Sequence, residues 1–299
     1  MYPFQLYRPS TLREALELYN EYPGSCILAG GTDAMISFRA GKRAEARVID
    51  ILLPELTGIK ETEGAFEIGA CTALYAVAEF FRTQPQPYRV MQETAESVGA
   101  CQTRHIATIG GNICTGNASA DMATALLVLD AVLTAASVHG IREIPIDRFF
   151  IRNRQTALQP GEILTSIRIP KRKNTACGAA FMKLGKRRGH VIATLNTAAL
   201  IGTDSAGTIC EVRLAAGTLA PTPVRLYESE KILLGAGVTP EEMEPVLRHV
   251  EEKLLTEIRP RNSLRASREY RESTAPVALT IRGFAAGSAP YPFSSAKKT

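Results

Sequence analysis

Along the first fifty residues the apolar positions switch between helical and strand spacing. Leu12, Ala15, Leu16 and Tyr19 fall on one helical face. Thr11-Leu12-Arg13-Glu14 opens that helix as a capping box, and Pro23-Gly24 closes it. Ser25 to Leu28 reads as a short strand, Asp33 to Arg39 as a short helix stopped at Gly41, and Arg47 to Ile51 as a second strand. The unit is βαβ, with Gly30 and Gly31 at the strand-to-helix turn. Phe66 to Cys71 is a further strand, and Thr72 is placed to cap a helix running to Phe81. After Pro85 and Pro87 come a helix over Met91 to Ser97, a loop-rich stretch, and an apolar helix from Asp121 to Leu129. Val132 to Ser137 and Ile141 to Ile144 form a hairpin across His139-Gly140, and Ile163 to Ile169 is another strand.

Around Lys171 to Thr175 the composition turns basic and polar, which marks a domain boundary. Strands follow over Gly178 to Leu184, Val191 to Gly202 and Thr208 to Ala215, with a tight turn over Asp204 to Gly207. Helices then cover Leu226 to Leu234, Glu241 to Leu255 and Ser267 to Ala286. The predicted organisation is α+β. Residues 1–172 form one domain, with a βαβ lobe over 1–54 and a larger α+β lobe over 55–172. Residues 173–287 form a smaller domain with an antiparallel sheet and helices, and the Ser/Pro/Lys-rich tail 288–299 is expected to be disordered.

A net charge of +5 is small for 299 residues and argues against a dedicated nucleic-acid face. No charged leader with an apolar run is visible at the start, and no stretch approaches the roughly 20 apolar residues that span a bilayer, so a soluble cytoplasmic protein is expected. The cysteines (26, 71, 101, 114, 177 and 210) are scattered without a C-x-x-C pair, and the four histidines are dispersed, so no metal site is expected.

The chemistry concentrates in two glycine turns, Ala29-Gly30-Gly31-Thr32-Asp33 and Thr108-Ile109-Gly110-Gly111-Asn112, the second followed by Ser119 and Asp121. Glycine lets the backbone come close to a ligand and adopt positive φ, so that successive N–H groups converge on phosphate oxygens. Thr32 and Thr108 add hydroxyl donors, and Asn112 donates and accepts. Phosphate would repel the Asp121 carboxylate, whose natural partner is a sugar or ribityl hydroxyl. An adenine dinucleotide with a sugar-alcohol chain fits this mixture. Gly41-Lys42-Arg43 lacks the hydroxyl of a Walker A loop, and the adjacent glycine pairs do not make a G-x-G-x-x-G. Structural turns remain the competing explanation for each pair.

Ile27-Leu28-Ala29-Gly30-Gly31-Thr32-Asp33, Val48-Ile49-Asp50-Ile51 and Gln102-Thr103-Arg104-His105-Ile106-Ala107-Thr108-Ile109-Gly110-Gly111-Asn112 with Asp121 resemble the FAD-binding subunit of molybdenum hydroxylases. That family includes the flavin subunits of xanthine, nicotinate and aerobic carbon monoxide dehydrogenases. The likeness continues through Gly161-Glu162-Ile163-Leu164 and Phe181-Met182-Lys183-Leu184 to Arg265-Ala266-Ser267-Arg268-Glu269-Tyr270-Arg271.

The resemblance implies a vanillyl-alcohol-oxidase-like (PCMH-type) FAD-binding domain followed by the family's small C-terminal domain. By position, Ile27, Leu28, Ala29, Gly30, Gly31, Thr32, Asp33 and Ala34 would wrap the pyrophosphate of noncovalent FAD. Thr108, Ile109, Gly110, Gly111 and Asn112 would form the other half of the cradle, lined by Gly99 and Ala100. Asp121 would hold a cofactor hydroxyl, and Leu164 and Lys183 would lie near the adenine or isoalloxazine. Arg187 to Ala193 aligns with a loop where the electron acceptor approaches. The implied function is electron transfer. Substrate, a purine or other N-heterocycle, is oxidised at the molybdenum cofactor of a large subunit. Electrons then pass through 2Fe-2S clusters of a small subunit to this flavin and on to NAD or another acceptor, in a dimer of heterotrimers. FAD would be the only redox group here, and no catalytic acid, base or nucleophile is required of the chain. Two alternatives stay open: a stand-alone FAD oxidase, for which the C-terminal part is short, and an interaction module that has lost its flavin.

Overall fold

A computed structural model describes residues 2–173, 176–187 and 189–287. Asn174 and Thr175 of the expected boundary, Arg188 of the expected acceptor loop, and the tail 288–299 lie outside the described residues.

The first lobe carries β1 (Gln5–Tyr7), α1 (Leu12–Glu21), β2 (Cys26–Leu28), α2 (Ala34–Arg39) and β3 (Arg47–Asp50). Its sheet has the order β1-β3-β2, and both pairings are parallel. The expected βαβ unit is therefore β2-α2-β3, while β1, three residues long, carries too little pattern to read from the sequence. The capping box at α1 is only half formed. Thr11 Oγ1 accepts from Glu14 N–H, but the Glu14 carboxylate accepts from Ser10 N–H at 2.6 Å and not from Thr11.

The second lobe contains β4 (Ile59–Glu61), β5 (Ala65–Gly69), α3 (Leu74–Arg82), α4 (Val90–Ser97), α5 (Cys101–Ile106), α6 (Ile109–Cys114), α7 (Asp121–Val128), β6 (Val132–Ser137), β7 (Gly140–Pro145), the short ribbon β8 (Phe150–Arg152) and β9 (Gln155–Thr156), and β10 (Ile163–Pro170). Its five-stranded sheet runs β4-β5-β10-β6-β7, antiparallel throughout. Every residue of α7 is buried, as expected of a helix that is apolar all round. Thr72 does not cap α3: Ala73 is the N-cap, and the Thr72 hydroxyl is buried, bonded to both N–H and C=O of Gly58.

The third part consists of β11 (Cys177–Leu184), β12 (Leu195–Thr203), β13 (Ile209–Gly217), β14 (Val224–Arg225), α8 (Tyr227–Leu233), α9 (Pro240–Glu257) and α10 (Arg268–Gly287). It is an antiparallel sheet of order β11-β12-β13-β14 with helices. Here the period-2 alternation of a strand serves two cores. Ala198 and Leu200 point into the cluster that contains α7, while Ala199 and Ile201 point into a second cluster with Val250, Leu254 and Ala278. The sheet is covered on both faces, which explains why Ala198 to Ile201 of β12 read as a continuous apolar run. The first four residues of the strand expected over 191–202 lie outside β12.

An ionic clasp pins the end of α7 to this sheet. Asp130 accepts from Arg225 at 2.7 Å, Arg213 at 2.9 Å and Arg172 at 3.2 Å, and Arg172 also bonds Glu211 and the Val128 carbonyl. Burial works against the Asp130 carboxylate, yet Arg213, Arg225 and Arg172 hold its carboxyl below the ordinary range. Arg172, within the basic stretch that marks the domain boundary in sequence, is thus a tie whose side chain is 10% exposed. Among the described residues no helix is long and apolar enough to cross a membrane.

Candidate cofactor site

Strand β2 delivers the chain into Ala29–Asp33, and α2 carries it away. Gly31 turns at φ +69°, a region costly for other residues. Among the described residues, no protein acceptor takes the backbone N–H groups of residues 29 to 34; the first local bond is Met35 N–H to Gly31 C=O at 2.9 Å. All of these residues except Asp33 are half-buried. A run of unspent backbone donors in a concave turn is an anion-binding arrangement. Gly30 packs backbone to backbone on the end of α5: a Cβ there would stand 2.0 Å from the Ile106 carbonyl oxygen. This contact brings the two glycine motifs together.

The second motif is not a loop. Gly99 (φ +56°) turns the chain into α5, for which Ala100 is the N-cap, and Thr108 caps α6 by accepting from Gly111 N–H at 3.0 Å. The N–H groups expected to face a ligand are engaged within the protein. Ile109 donates to Thr72 C=O, Gly110 to Ala70 C=O, and Asn112 to Thr108 C=O. Gly110 is required by packing, because a Cβ would come within 2.6 Å of Ala70 O. What this half offers a ligand is the Thr108 hydroxyl proton and the Asn112 amide NH2. Asn112 Oδ1 accepts from Met122 N–H at 3.3 Å and so ties α6 to the start of α7.

Asp121 opens α7 and is buried. Its Oδ2 receives Lys183 Nζ from β11 at 2.6 Å, and its Oδ1 receives Asn196 Nδ2 from β12 at 2.6 Å. The Asp121 and Lys183 side chains are 6% and 9% exposed, so water screens the pair little. Burial pushes the Asp121 carboxyl upward, while Lys183 and Asn196 oppose it by favouring the charged form. Lys183 also donates to Ser97 C=O at 2.9 Å, which anchors the turn before Gly99. The structure thus gathers Asp121, Lys183, Gly99–Ala100 and Asn112 around one buried ion pair. Sequence reasoning missed Asn196. The available signal was an amide, followed by Thr197, inside the mostly apolar stretch Leu195 to Ile201.

Leu164 is a core side chain on β10, beside a register irregularity between Leu164 and Ser166. Its neighbour Thr165 accepts from Ala70 N–H at 2.9 Å, which places that strand beside Gly110. The turn before β10 is braced by Glu162, which accepts from Arg142 at 2.6 and 2.8 Å and from Gln159 N–H at 2.6 Å. The Arg142 hydrogen bond is the largest influence and holds the Glu162 carboxyl below its ordinary value. A depressed carboxyl stabilises the fold above the unfolded pKa, and that stability disappears as pH falls through the folded pKa. Glu162→Gln is therefore expected to cost about 1–2 kcal/mol at neutral pH and to flatten the acid limb of thermal stability followed between about pH 2 and 5. An unchanged acid limb would refute the assignment.

The other residues singled out in sequence take structural places. His105 stacks on Tyr75 with ring centroids 4.0 Å apart. His190 (φ +48°) lies in an exposed loop whose Arg187 donates to the carbonyls of Gly189 and His190. Arg271 is buried and bonds Thr194 C=O, Ala266 C=O and Ser263 Oγ, while Tyr270 is exposed.

Residues 2–172 match the family model described as the FAD binding domain in molybdopterin dehydrogenase, and residues 180–285 match the CO dehydrogenase flavoprotein C-terminal domain. The chain is 35% identical over 274 residues to the xanthine dehydrogenase FAD-binding subunit of Escherichia coli O157:H7, covering 91% of this chain and 92% of that subunit. It is 32% identical over 255 residues to the nicotinate dehydrogenase FAD-subunit of Eubacterium barkeri, covering 83% and 85%. Its structure matches a chain of the reconstituted CO dehydrogenase from Oligotropha carboxidovorans with a TM-score of 0.88 at 26% identity, over 95% of this chain and 99% of that one.

Proposed function

The chain belongs to the family of FAD-binding subunits of molybdopterin dehydrogenases, and from that membership we propose that it is the electron-transfer subunit of a molybdenum hydroxylase acting on a purine or another N-heterocycle. Its partners in this reading are a large subunit with the molybdenum cofactor and a small subunit with 2Fe-2S clusters, assembled in the cytoplasm as a dimer of heterotrimers. NAD or another acceptor takes the electrons. The xanthine and nicotinate dehydrogenase subunits it resembles support the substrate class.

One observation carries the cofactor assignment. Gly30 seats a turn with unspent N–H donors at residues 29 to 34 against the Ile106 carbonyl, next to Thr108. In this reading Ile27 to Ala34 hold the pyrophosphate. Thr108 to Asn112 contribute a hydroxyl and an amide, Gly99 and Ala100 line the site, and Asp121 accepts a cofactor hydroxyl. Leu164 and Lys183 border the rings. Residues 1–172 are then the FAD-binding domain and 173–287 the C-terminal domain. Bound FAD supplies the redox chemistry, while the chain supplies position and electrostatics. Lys183 adds a fixed positive charge at the site, and the apolar wall of α7 behind Asp121 excludes water from it.

The test is to purify the chain, release its chromophore by heat, and identify it by chromatography and mass. Noncovalent FAD near one per chain is the expected result. FMN, or no flavin in protein that binds none on titration, would break the pyrophosphate reading.

A further inference from the structure

Asn196 is the uncharged member of the cluster around Asp121, and no motif marks it. It is fully buried on β12, donates Nδ2 to Asp121, and leaves its Oδ1 without a hydrogen-bond partner among the described residues. The neighbouring strand makes room for the amide. Asn196 pairs in register with Gly217, where a Cβ would stand 2.0 Å from Asn196 Oδ1. The next residues on the same face of β12, Ala198 and Leu200, fill the core with apolar groups. An apolar residue at 196 would pack there without burying an unpaired acceptor. What the amide contributes is its bond to Asp121.

This step rests on the reading that Asp121 accepts a cofactor hydroxyl. We propose that Asn196 is a positioning residue of the FAD site, fixing the Asp121 carboxylate from the C-terminal sheet so that the cradle is complete only when that sheet is docked. A carboxylate has about four lone-pair directions. Lys183 takes one on Oδ2 and Asn196 one on Oδ1, so each oxygen keeps one for a hydroxyl donor. Held by Lys183 alone, the carboxylate would turn freely, since its terminal torsion has broad wells. The amide on the second oxygen removes that freedom and favours the ionised form.

Lys183, from β11, faces Asp121, and the other charged groups on the packed elements face elsewhere. Glu93 of α4 accepts from Phe181 N–H at 3.0 Å. Arg213 of β13 and Arg225 of β14 gather at Asp130, past the far end of α7, and Asp147 accepts from Tyr227. From α6, Asn112 is turned to Met122 N–H.

The experiment is to measure FAD affinity of the full-chain apoprotein by titration calorimetry across about pH 5 to 9 for Asn196→Asp, Asn196→Ala and Asp121→Asn, with each thermal midpoint alongside. The Asn196 variants are expected to bind FAD about tenfold more weakly, as loss of a supporting hydrogen bond does at other sites. The pH at which binding is lost should also move upward, because a carboxylate deprived of a donor takes up its proton earlier. Should Asn196→Asp unfold, Asn196→Ala carries both readouts. Uniform weakening with an unmoved pH midpoint would mean a packing role and overturn the inference. So would weak binding in Asp121→Asn beside normal binding in the Asn196 variants. Normal FAD affinity in Asp121→Asn would instead remove the Asp121 assignment, and the inference with it.

Discussion

Replacing Lys183 by methionine is expected to destabilise the chain by about 3–5 kcal/mol, because it strands the Asp121 carboxylate in a buried site with no counter-charge. The two side chains are 9% and 6% exposed, so water cannot take over the role of the ammonium. The same ammonium holds Ser97 C=O at 2.9 Å, so the turn into Gly99 should loosen too. Differential scanning calorimetry would report a fall in the unfolding midpoint of about 10 °C. The companion variant Asp121→Leu with Lys183→Met separates two effects. Exchanging a buried ion pair for apolar groups is often neutral, so stability should partly return, less about 1–3 kcal/mol for the Asn196 amide left without its acceptor, while bound flavin does not return. A double variant that regains both would show that the pair is structural only, and a Lys183→Met protein as stable as the original would show that the pair is not isolated from solvent.

Gly30→Ala is expected to abolish most FAD binding while leaving a folded protein. The new Cβ would meet the Ile106 carbonyl oxygen at 2.0 Å and its carbon at 2.7 Å. Both are backbone atoms at the end of α5, so the first turn must move away from the second motif. Overpacking of this kind costs about 1–3 kcal/mol. Two further variants calibrate the effect. Gly31→Ala is strained by φ +69° but meets only side chains, Met35 at 3.2 Å and Leu28 at 3.4 Å, so it should weaken flavin binding less. Gly24→Ala carries similar strain at φ +83° with nothing within 4 Å, and should lower stability while leaving flavin affinity intact. Flavin content at wild-type level in Gly30→Ala would refute the idea that contact between the motifs shapes the cradle.

These variants also mark where the sequence was legible. Periodicity placed α1, α3, α7, the β6–β7 hairpin and the antiparallel C-terminal sheet. Each is written in residues a few positions apart, and neighbours along the chain act on each other whatever the rest does. The turn at Gly30-Gly31 was likewise readable, because a strand running into adjacent glycines has few other uses. The stretch between Ser97 and Asp121 was read as loop-rich and contains two short helices, α5 and α6. Gly110 is consumed by close approach to Ala70, a contact that exists only once the end of β5 is beside α6, while Gly111 is engaged locally by the Thr108 cap.

What the sequence by itself determined is the order of elements, the two glycine turns, and the ligand chemistry their residue types favour. The tertiary structure alone decided that Gly30 lies on Ile106, that Asp121 meets Lys183 and Asn196, and that Arg172, in the basic stretch at the expected domain boundary, is a clasp. The reason is physical. Local preferences depend on dihedral sterics and side-chain spacing within a turn or two. A buried ion pair between residues 62 apart exists only when chain folding has removed the water that would otherwise solvate both partners.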